Sequence, residues 1–238
     1  MSNQMVFQRY ELKYLITRCQ QAALLAAMGP HVVEDTYAHS SIRNLYVDTP
    51  SFRLIRRSLE KPVYKEKIRI RSYGRASLSD PVFVELKKKY RSVVYKRRLS
   101  LPQHQALACM LGVPLWPDTQ IGNELAYTVN FYRPLSPAVF LSYERDSYHG
   151  VEDPDLRVTF DRDIRFRQES LTLDSTPWGT SLLDSDQVLM ELKIAGGMPL
   201  WLTHILSELE IYQTSYSKYG AAYQLIQART VGGERKYA

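Results

Sequence analysis

The sequence predicts an α+β fold of eight strands, most of which carry a charged face and an apolar face, with helices enough to cover the apolar side. Three observations predict it. First, Tyr64–Tyr73 (YKEKIRIRSY) places Lys65, Lys67, Arg69 and Arg71 on one parity and Glu66, Ile68 and Ile70 on the other, which sorts onto two faces only at the period-two alternation of a strand. Second, other segments repeat that alternation, and the tripeptide Glu-Leu-Lys occurs at 11–13, 85–87 and 191–193. Third, apolar residues recur at helical spacing in the segments between, as in Ile121, Leu125, Val129 and Tyr132.

In chain order, the first strand runs over Met5–Ile16, with Arg9, Glu11 and Lys13 alternating with Tyr10, Leu12 and Tyr14. Thr17, with Gln20 three residues on, forms a capping box for an Ala/Leu-rich helix that Gly29-Pro30 stops. Ser41–Asp48 reads as a strand and Thr49-Pro50-Ser51 opens a short basic helix to about Glu60. After the central strand come Val82–Tyr90, with Phe83, Glu85, Lys87 and Lys89 on one face, and Val93–Leu101, whose inward face the pattern leaves open. A helix over Pro102–Leu111 ends at Gly112, and a second, capped by Asp118 or Thr119, ends at Arg133-Pro134. Strands follow at Ala138–Tyr148, Leu156–Phe166 and Gln187–Ala195, then a helix through Trp201, Ile205, Leu209 and Tyr212 and a last one from about Ser215 to Arg229, with a disordered tail beyond Gly232-Gly233.

The 238 residues read as one domain, 1–238, since no linker interrupts the elements. Net charge is +6, from 31 basic and 25 acidic residues, which suits an acidic partner. The two cysteines, Cys19 and Cys109, support neither a disulfide framework nor a thiolate metal site, which fits a reducing cytoplasm. No segment approaches the ~20 apolar residues of a membrane span, so any tie to a membrane has to come through a separate partner. The five histidines are scattered, and no Walker glycine loop, Gly-x-Gly-x-x-Gly or His-Glu-x-x-His is present.

Like charges lined along one strand face repel by about 1 kcal/mol per close pair even in water unless an anion lies among them. Two architectures meet that condition: an open sheet whose charged face is solvated, and a closed barrel whose charged faces converge on a lumen. If they converge, Lys13, Lys67, Arg69, Arg71, Lys87, Arg145, Arg157 and Lys193 surround Glu11, Glu85, Asp161 and Glu191. Arginine forks and lysine point charges grip phosphate oxygens, and carboxylates beside phosphates hold Mg²⁺ or Mn²⁺. Phosphoryl transfer needs little beyond positioning and charge stabilisation. Lys218, beside Ser217 in the first turn of the last helix, fits either a phosphate site at a helix N-terminus or a solvent-exposed lysine.

Arg9-Tyr-Glu-Leu-Lys-Tyr14, Lys67-Ile-Arg-Ile-Arg71, Val84-Glu-Leu-Lys87, Tyr143-Glu-Arg145, Arg157-Val-Thr-Phe-Asp161, Val188-Leu-Met-Glu-Leu-Lys193 and Ser217-Lys-Tyr219 together resemble the VTC-type polyphosphate polymerase domain. That domain belongs to the triphosphate tunnel metalloenzyme, or CYTH-like, superfamily. The resemblance implies a closed eight-stranded antiparallel tunnel covered by helices. It implies that Lys13, Arg69, Arg71, Lys87, Arg145, Arg157, Lys193 and Lys218 bind phosphate, joined by Lys96 or Arg97, and that Glu191 helps to hold Mn²⁺ or Mg²⁺. Arg9 stands where the superfamily's first-strand Glu-x-Glu-x-Lys pattern has its first glutamate, a departure that the polymerase-like branch tolerates. The expectation is therefore a metal-dependent polyphosphate polymerase acting on ATP and polyphosphate or tripolyphosphate. Lys67 and Ser217 are further substrate contacts, and Glu11 and Glu85 are further metal ligands. A tunnel triphosphatase, with Glu11 or Glu85 as base, and a non-catalytic polyanion-binding module are the alternatives. Nucleic acid is a weaker partner, because no RNP-like aromatic motif occurs.

Overall fold

The computed structural model describes residues 10–91 and 93–234. They form ten strands and six helices in an antiparallel α+β arrangement, and eight of the strands have eight or more residues. Those eight are β1 (Tyr10–Thr17), β2 (Val32–Asp48), β3 (Tyr64–Tyr73), β4 (Pro81–Tyr90), β5 (Val93–Pro102), β6 (Ser136–Gly150), β7 (Arg157–Arg167) and β9 (Gln187–Ile194). They are the eight strands that the alternation predicts. The other two, β8 (Thr180–Ser181) and β10 (Gln213–Thr214), are two residues long. Among the described residues the strand order has two ends, β10 and β5, so hydrogen bonding does not close it as the tunnel expectation requires.

The contacts group into two compact units. The first comprises 1–41, 143–164 and 183–216, with strand order β10-β1-β9-β7-β6-β2. Helices α1 (Arg18–Met28) and α5 (Leu200–Glu208) belong to it. Its core gathers Tyr14, Ile16, Val158, Phe160, Val188, Met190 and Leu192 from the strands and Leu24, Met28, Leu202 and Leu206 from the helices. The Thr17 capping box is present, with Thr17 accepting from the Gln20 backbone and Gln20 reaching back. The second unit comprises 42–142, 165–182 and 217–238, with order β6-β2-β3-β4-β5 and β8 beside β7. Its core sets Leu45, Val47, Ile68, Ile70, Val82, Val84 and Leu86 against Ala106 and Met110 of α3 (Gln103–Met110) and Leu125, Val129 and Tyr132 of α4 (Gln120–Tyr132). Thr119 caps α4 by accepting the Gly122 N–H.

Three boundaries differ from the sequence pattern. β2 begins at Val32 rather than Ser41; its first half mixes apolar and polar residues on both parities and carries no alternation to read. Helix α6 spans Lys218–Glu234, continuing through Gly232-Gly233 instead of ending near Arg229. Helix α2 (Arg53–Leu59) draws its N-terminal support from Asp48, whose carboxylate accepts from the backbone N–H groups of Leu54 and Ile55 at 2.9 and 3.0 Å. Arg9 and the tail beyond Glu234 lie outside the described residues. No helix among the described residues is long and apolar enough to cross a membrane.

The two faces of β3 differ in their stake in folding. Ile70 is fully buried at 0% exposure, so Ile70→Asp puts an unpaired carboxylate into an apolar core at a cost of several kcal/mol. Urea denaturation is expected to show the variant unfolded or severely destabilised; near-wild-type stability would refute this assignment of faces.

Candidate functional site

The registers turn sequence parity into rows of side chains. In the second unit, β3, β4 and β5 pair so that Lys67 faces Lys87 and Lys87 faces Lys96, and Arg69 faces Glu85 and Glu85 faces Arg98. On the other side of β3, Tyr46 faces Arg69 and Asn44 faces Arg71. Cross-strand partners share a face, so Asn44, Tyr46, Lys67, Arg69, Arg71, Glu85, Lys87, Lys96 and Arg98 line the side of the sheet opposite the α3 and α4 core.

Glu85 is the hub of that face. It is 2% exposed, and its carboxylate is 2.6 Å from Arg69, 2.7 Å from Lys96, 2.8 Å from Arg98 and 3.8 Å from Arg71. Burial pushes its carboxyl up, but the Arg69 and Arg71 charges and the Lys96 hydrogen bond outweigh burial and hold it well below the usual carboxylate range. Arg71 Nε donates to Asn44 Oδ1 at 2.9 Å, and Arg69 Nη1 donates to the Tyr46 hydroxyl at 3.2 Å. Tyr46 stacks on Tyr219 with ring centroids 4.3 Å apart, and Tyr219 donates its hydroxyl to Asp48 at 2.9 Å. Burial raises the Tyr46 hydroxyl, yet Arg69, Arg71 and Lys218 bring it below its ordinary value.

Lys218 opens α6 and is buried at 8% exposure, which removes the reading as a solvent-exposed lysine. Ser217 accepts the Gly220 N–H at 3.1 Å, capping the helix, and also accepts from Lys67 Nζ at 2.9 Å. Arg97 is the one predicted contact that the register displaces. It lies on the α4 side, 2.9 Å from Glu124, which also takes Lys88 at 3.8 Å. Lys96 and Arg98 occupy the charged face instead. Leu99 and Leu101 share the parity of Arg97 and pack on the α3–α4 core, which is the signal that could have set Arg97 behind the sheet and Lys96 in front.

In the first unit, β1, β9 and β7 give two adjacent rows: Glu11, Lys193 and Arg157, then Lys13, Glu191 and Thr159. Lys13 Nζ lies 3.2 Å from Glu191 and 3.4 Å from Glu11. Arg145 of β6 grips Asp161 with Nε and Nη2 at 2.5 and 2.6 Å, and Nη2 also reaches Glu191 at 3.1 Å. Each Glu191 oxygen therefore meets a cation, and the side chain is 8% exposed. Arg157 Nη1 donates to Asp35 at 3.2 Å, and the other Asp35 oxygen is 2.8 Å from His149 Nδ1. The sequence reading missed Asp35 along with Tyr46 and Tyr219, because their partners are set by tertiary register rather than local pattern.

The donor set for a divalent ion consists of hard carboxylate oxygens. Among the described residues no three His, Cys, Asp or Glu side chains gather as a ready-made metal cage. Such a set suits an ion held through one or two carboxylates and completed by phosphate oxygens and water, and Glu191 with Glu11 fits that requirement. Glu85 and Asp161 are already enclosed by guanidinium groups, a poorer setting for a second cation.

The VTC domain family model matches residues 8–227. The chain belongs to the VTC domain family. Among solved structures, this VTC-domain protein is similar to a candidate adenylate cyclase from Bacillus halodurans, with a TM-score of 0.54 and 15% identity over 87% of this chain and 92% of that one. It is also similar to a candidate adenylate cyclase from Vibrio parahaemolyticus, with a TM-score of 0.48 and 10% identity over 90% of this chain and 97% of that one. The first likeness shows a shared fold. No curated protein matches the chain.

The Glu85 hub sets a pH dependence. Because its folded-state pKa is depressed, its contribution to stability is present above the unfolded value of about 4.3 and is lost as pH falls toward the folded value. Glu85→Gln is expected to cost roughly 2–3 kcal/mol at pH 7, less than a fully buried pair because Lys96 and Arg98 are part-solvated. The gap from wild type should narrow as pH drops below about 4. Denaturation midpoints measured from pH 3 to pH 7 check this, and a pH-independent gap would contradict it.

Proposed function

We propose that this VTC-domain protein is a metal-dependent polyphosphate polymerase that transfers the γ-phosphoryl of ATP to a phosphate or polyphosphate end, with the charged face of the sheet as the wall of a basic tunnel. The observation that carries the reading is the charge balance at Glu85. A single buried carboxylate orients Arg69, Arg71, Lys96 and Arg98, while Lys67 and Lys87 extend the row. The carboxylate fixes the forks in place without cancelling their charge, and the excess positive potential suits a chain of linked phosphates.

In this reading Arg69, Arg71, Lys87, Lys96, Arg98, Lys218 and Ser217 bind and align phosphates, and Lys13, Arg145, Arg157 and Lys193 do the same along their own rows. A bound Mn²⁺ or Mg²⁺, held by Glu191 with Glu11, would supply charge neutralisation at the phosphate oxygens. Lys13 and Arg145 hold the Glu191 carboxylate in place. Cations arranged in advance of the reaction stabilise the charge of phosphoryl transfer without having to reorganise.

The state of two carboxylates supports phosphate as the acceptor. Glu85, held well below the usual range, is a weak base, and Asp161 is gripped bidentately by Arg145. Neither is suited to activate water, whereas an ionised phosphate acceptor needs no base. This favours transfer to phosphate over hydrolysis.

Incubation with ATP and Mn²⁺ followed by sizing of the products tests the reading. Chains longer than the input primer, with ADP released one for one and little orthophosphate, are expected. Orthophosphate alone would make the protein a hydrolase, and no product with either metal would make it a binding module. Glu191→Gln is expected to lower turnover by orders of magnitude while tripolyphosphate still raises the melting temperature, because the cations that grip phosphate remain. Normal turnover in that variant would remove Glu191 from the metal site.

A further inference from the structure

The row Lys13, Glu191, Thr159 ends on a residue that has no role so far. Thr159 lies directly opposite Glu191 in the β7–β9 register, on the same face, with Arg157 and Asp161 two residues to either side on β7. It is 6% exposed, and among the described residues its hydroxyl oxygen is buried with no hydrogen-bond partner. A buried hydroxyl without a partner forfeits its hydrogen bonds to water and gains nothing in return. The opposite face of β7 offers Val158 and Phe160 to the core. An apolar residue of the same shape would therefore serve packing at least as well, and the hydroxyl needs another reason to be there.

The neighbours say what would satisfy it. Lys13, Arg145, Arg157 and Lys193 supply positive charge around it, and Glu191 already has both oxygens beside cations. An anion with several oxygens drawn among those cations would present an acceptor to the Thr159 hydroxyl at short range, and a threonine hydroxyl supplies the donor. We propose that Thr159 is a substrate-binding residue whose hydroxyl donates a hydrogen bond to an oxygen of a linked phosphate group seated beside Glu191. The inference deepens the polymerase reading and rests on it, since it requires that phosphates occupy this row. The phosphate could come from the nucleotide or from the inorganic chain, which share the same oxygens.

Calorimetric titration with tripolyphosphate and, separately, with ATP, both in chelator so that no metal intervenes, tests it. Thr159→Val keeps the shape and removes the donor, and is expected to weaken binding by about tenfold or more, as for a hydrogen bond to a charged acceptor. Thr159→Ser keeps the donor and is expected to bind within about threefold of wild type. The free Thr159→Val protein should melt at the wild-type temperature or above, because the unpartnered hydroxyl is gone. A purely structural threonine would show the reverse: a lower melting temperature with unchanged affinity. If the second valine methyl prevents folding, Thr159→Ala carries the same comparison. A loss with both ligands supports the contact, and a loss with one supports it and names the source of the phosphate. Unchanged affinity for both in Thr159→Val, with wild type binding tightly, overturns the role of Thr159 alone. Failure of the wild type to bind either ligand overturns the phosphate-site reading and this inference with it.

Discussion

The structure depends on how repulsion among like charges on the strand faces is contained. Lys67, Arg69 and Arg71 stand on consecutive same-face positions of β3; across the register Lys67 meets the cation Lys87, Arg69 meets its counter-ion Glu85, and Arg71 lies between Asn44 and Phe83. At an effective dielectric constant near 20, two unit charges 4 Å apart interact by about 4 kcal/mol, so several uncompensated pairs would rival the net stability of a whole domain. The containment is local. Glu85 is shared among Arg69, Arg71, Lys96 and Arg98, and Asp161 and Glu191 divide Arg145 and Lys13 between them. Each carboxylate is buried, whereas Lys96 and Arg98 are only part-buried, which makes those two cations the adjustable partners.

That containment works because the opposite face of every strand is fixed. Ile68, Ile70, Val84 and Leu86 in one unit, and Val158, Phe160, Met190 and Leu192 in the other, are fully or almost fully buried under helices. With the period-two pleat, anchoring one face holds the other in register. A second tether reinforces Arg69: Asp48 supports the start of α2 and accepts from Tyr219, Tyr219 stacks on Tyr46, and Tyr46 accepts from Arg69. Helix α6 thus contributes both Tyr219 to this chain of contacts and Lys218 to the charged face. A guanidinium located by a carboxylate, a phenol and a packed helix loses little further freedom on binding an anion, which is the physical content of preorganisation.

How much of this was legible in the sequence follows from where alternation is strong. The existence of the eight long strands and of the covering helix α4 can be read because apolar and charged residues alternate over most of the strands or recur at helical spacing, and the Thr17 capping box is legible in its own spacing. Strand β5 was left unresolved because Arg97 interrupts the set Val93, Tyr95, Leu99 and Leu101, which is otherwise apolar, and the opposite set is Val94, Lys96, Arg98 and Ser100. The β4 register, the Glu124 carboxylate on α4 and the core positions of Leu99 and Leu101 together place Arg97 behind the sheet and Arg98 in front. The first half of β2 was missed because apolar and polar residues are mixed on both of its parities, and with it Asp35, which holds Arg157. Two-residue strands such as β8 and β10 are too short to have a period at all. The Glu-Leu-Lys tripeptides marked three strands of the site correctly as elements, but which carboxylate serves which cation is a cross-strand matter that no single strand encodes.

The same reasoning separates the three tripeptide glutamates, which look alike in sequence. Glu85 sits among three arginines and a lysine on the neighbouring strands, which hold it in the ionised state. Glu191 has Lys13 on one neighbour and Thr159 on the other, so its row holds a single basic residue, with Arg145 reaching in from β6. Glu11 faces Lys193 near the start of β1, and its side chain is 32% exposed. A divalent ion competes poorly for a carboxylate already shared by several guanidinium groups, because displacing them leaves buried positive charges unpaired. It competes better where the cations are fewer and a phosphate can compensate those it displaces. In the proposed metal-dependent reading, the gradient from Glu85 to Glu191 to Glu11 is a gradient in availability to a metal. It arises from what the adjacent strands place across from each glutamate, not from the glutamates themselves.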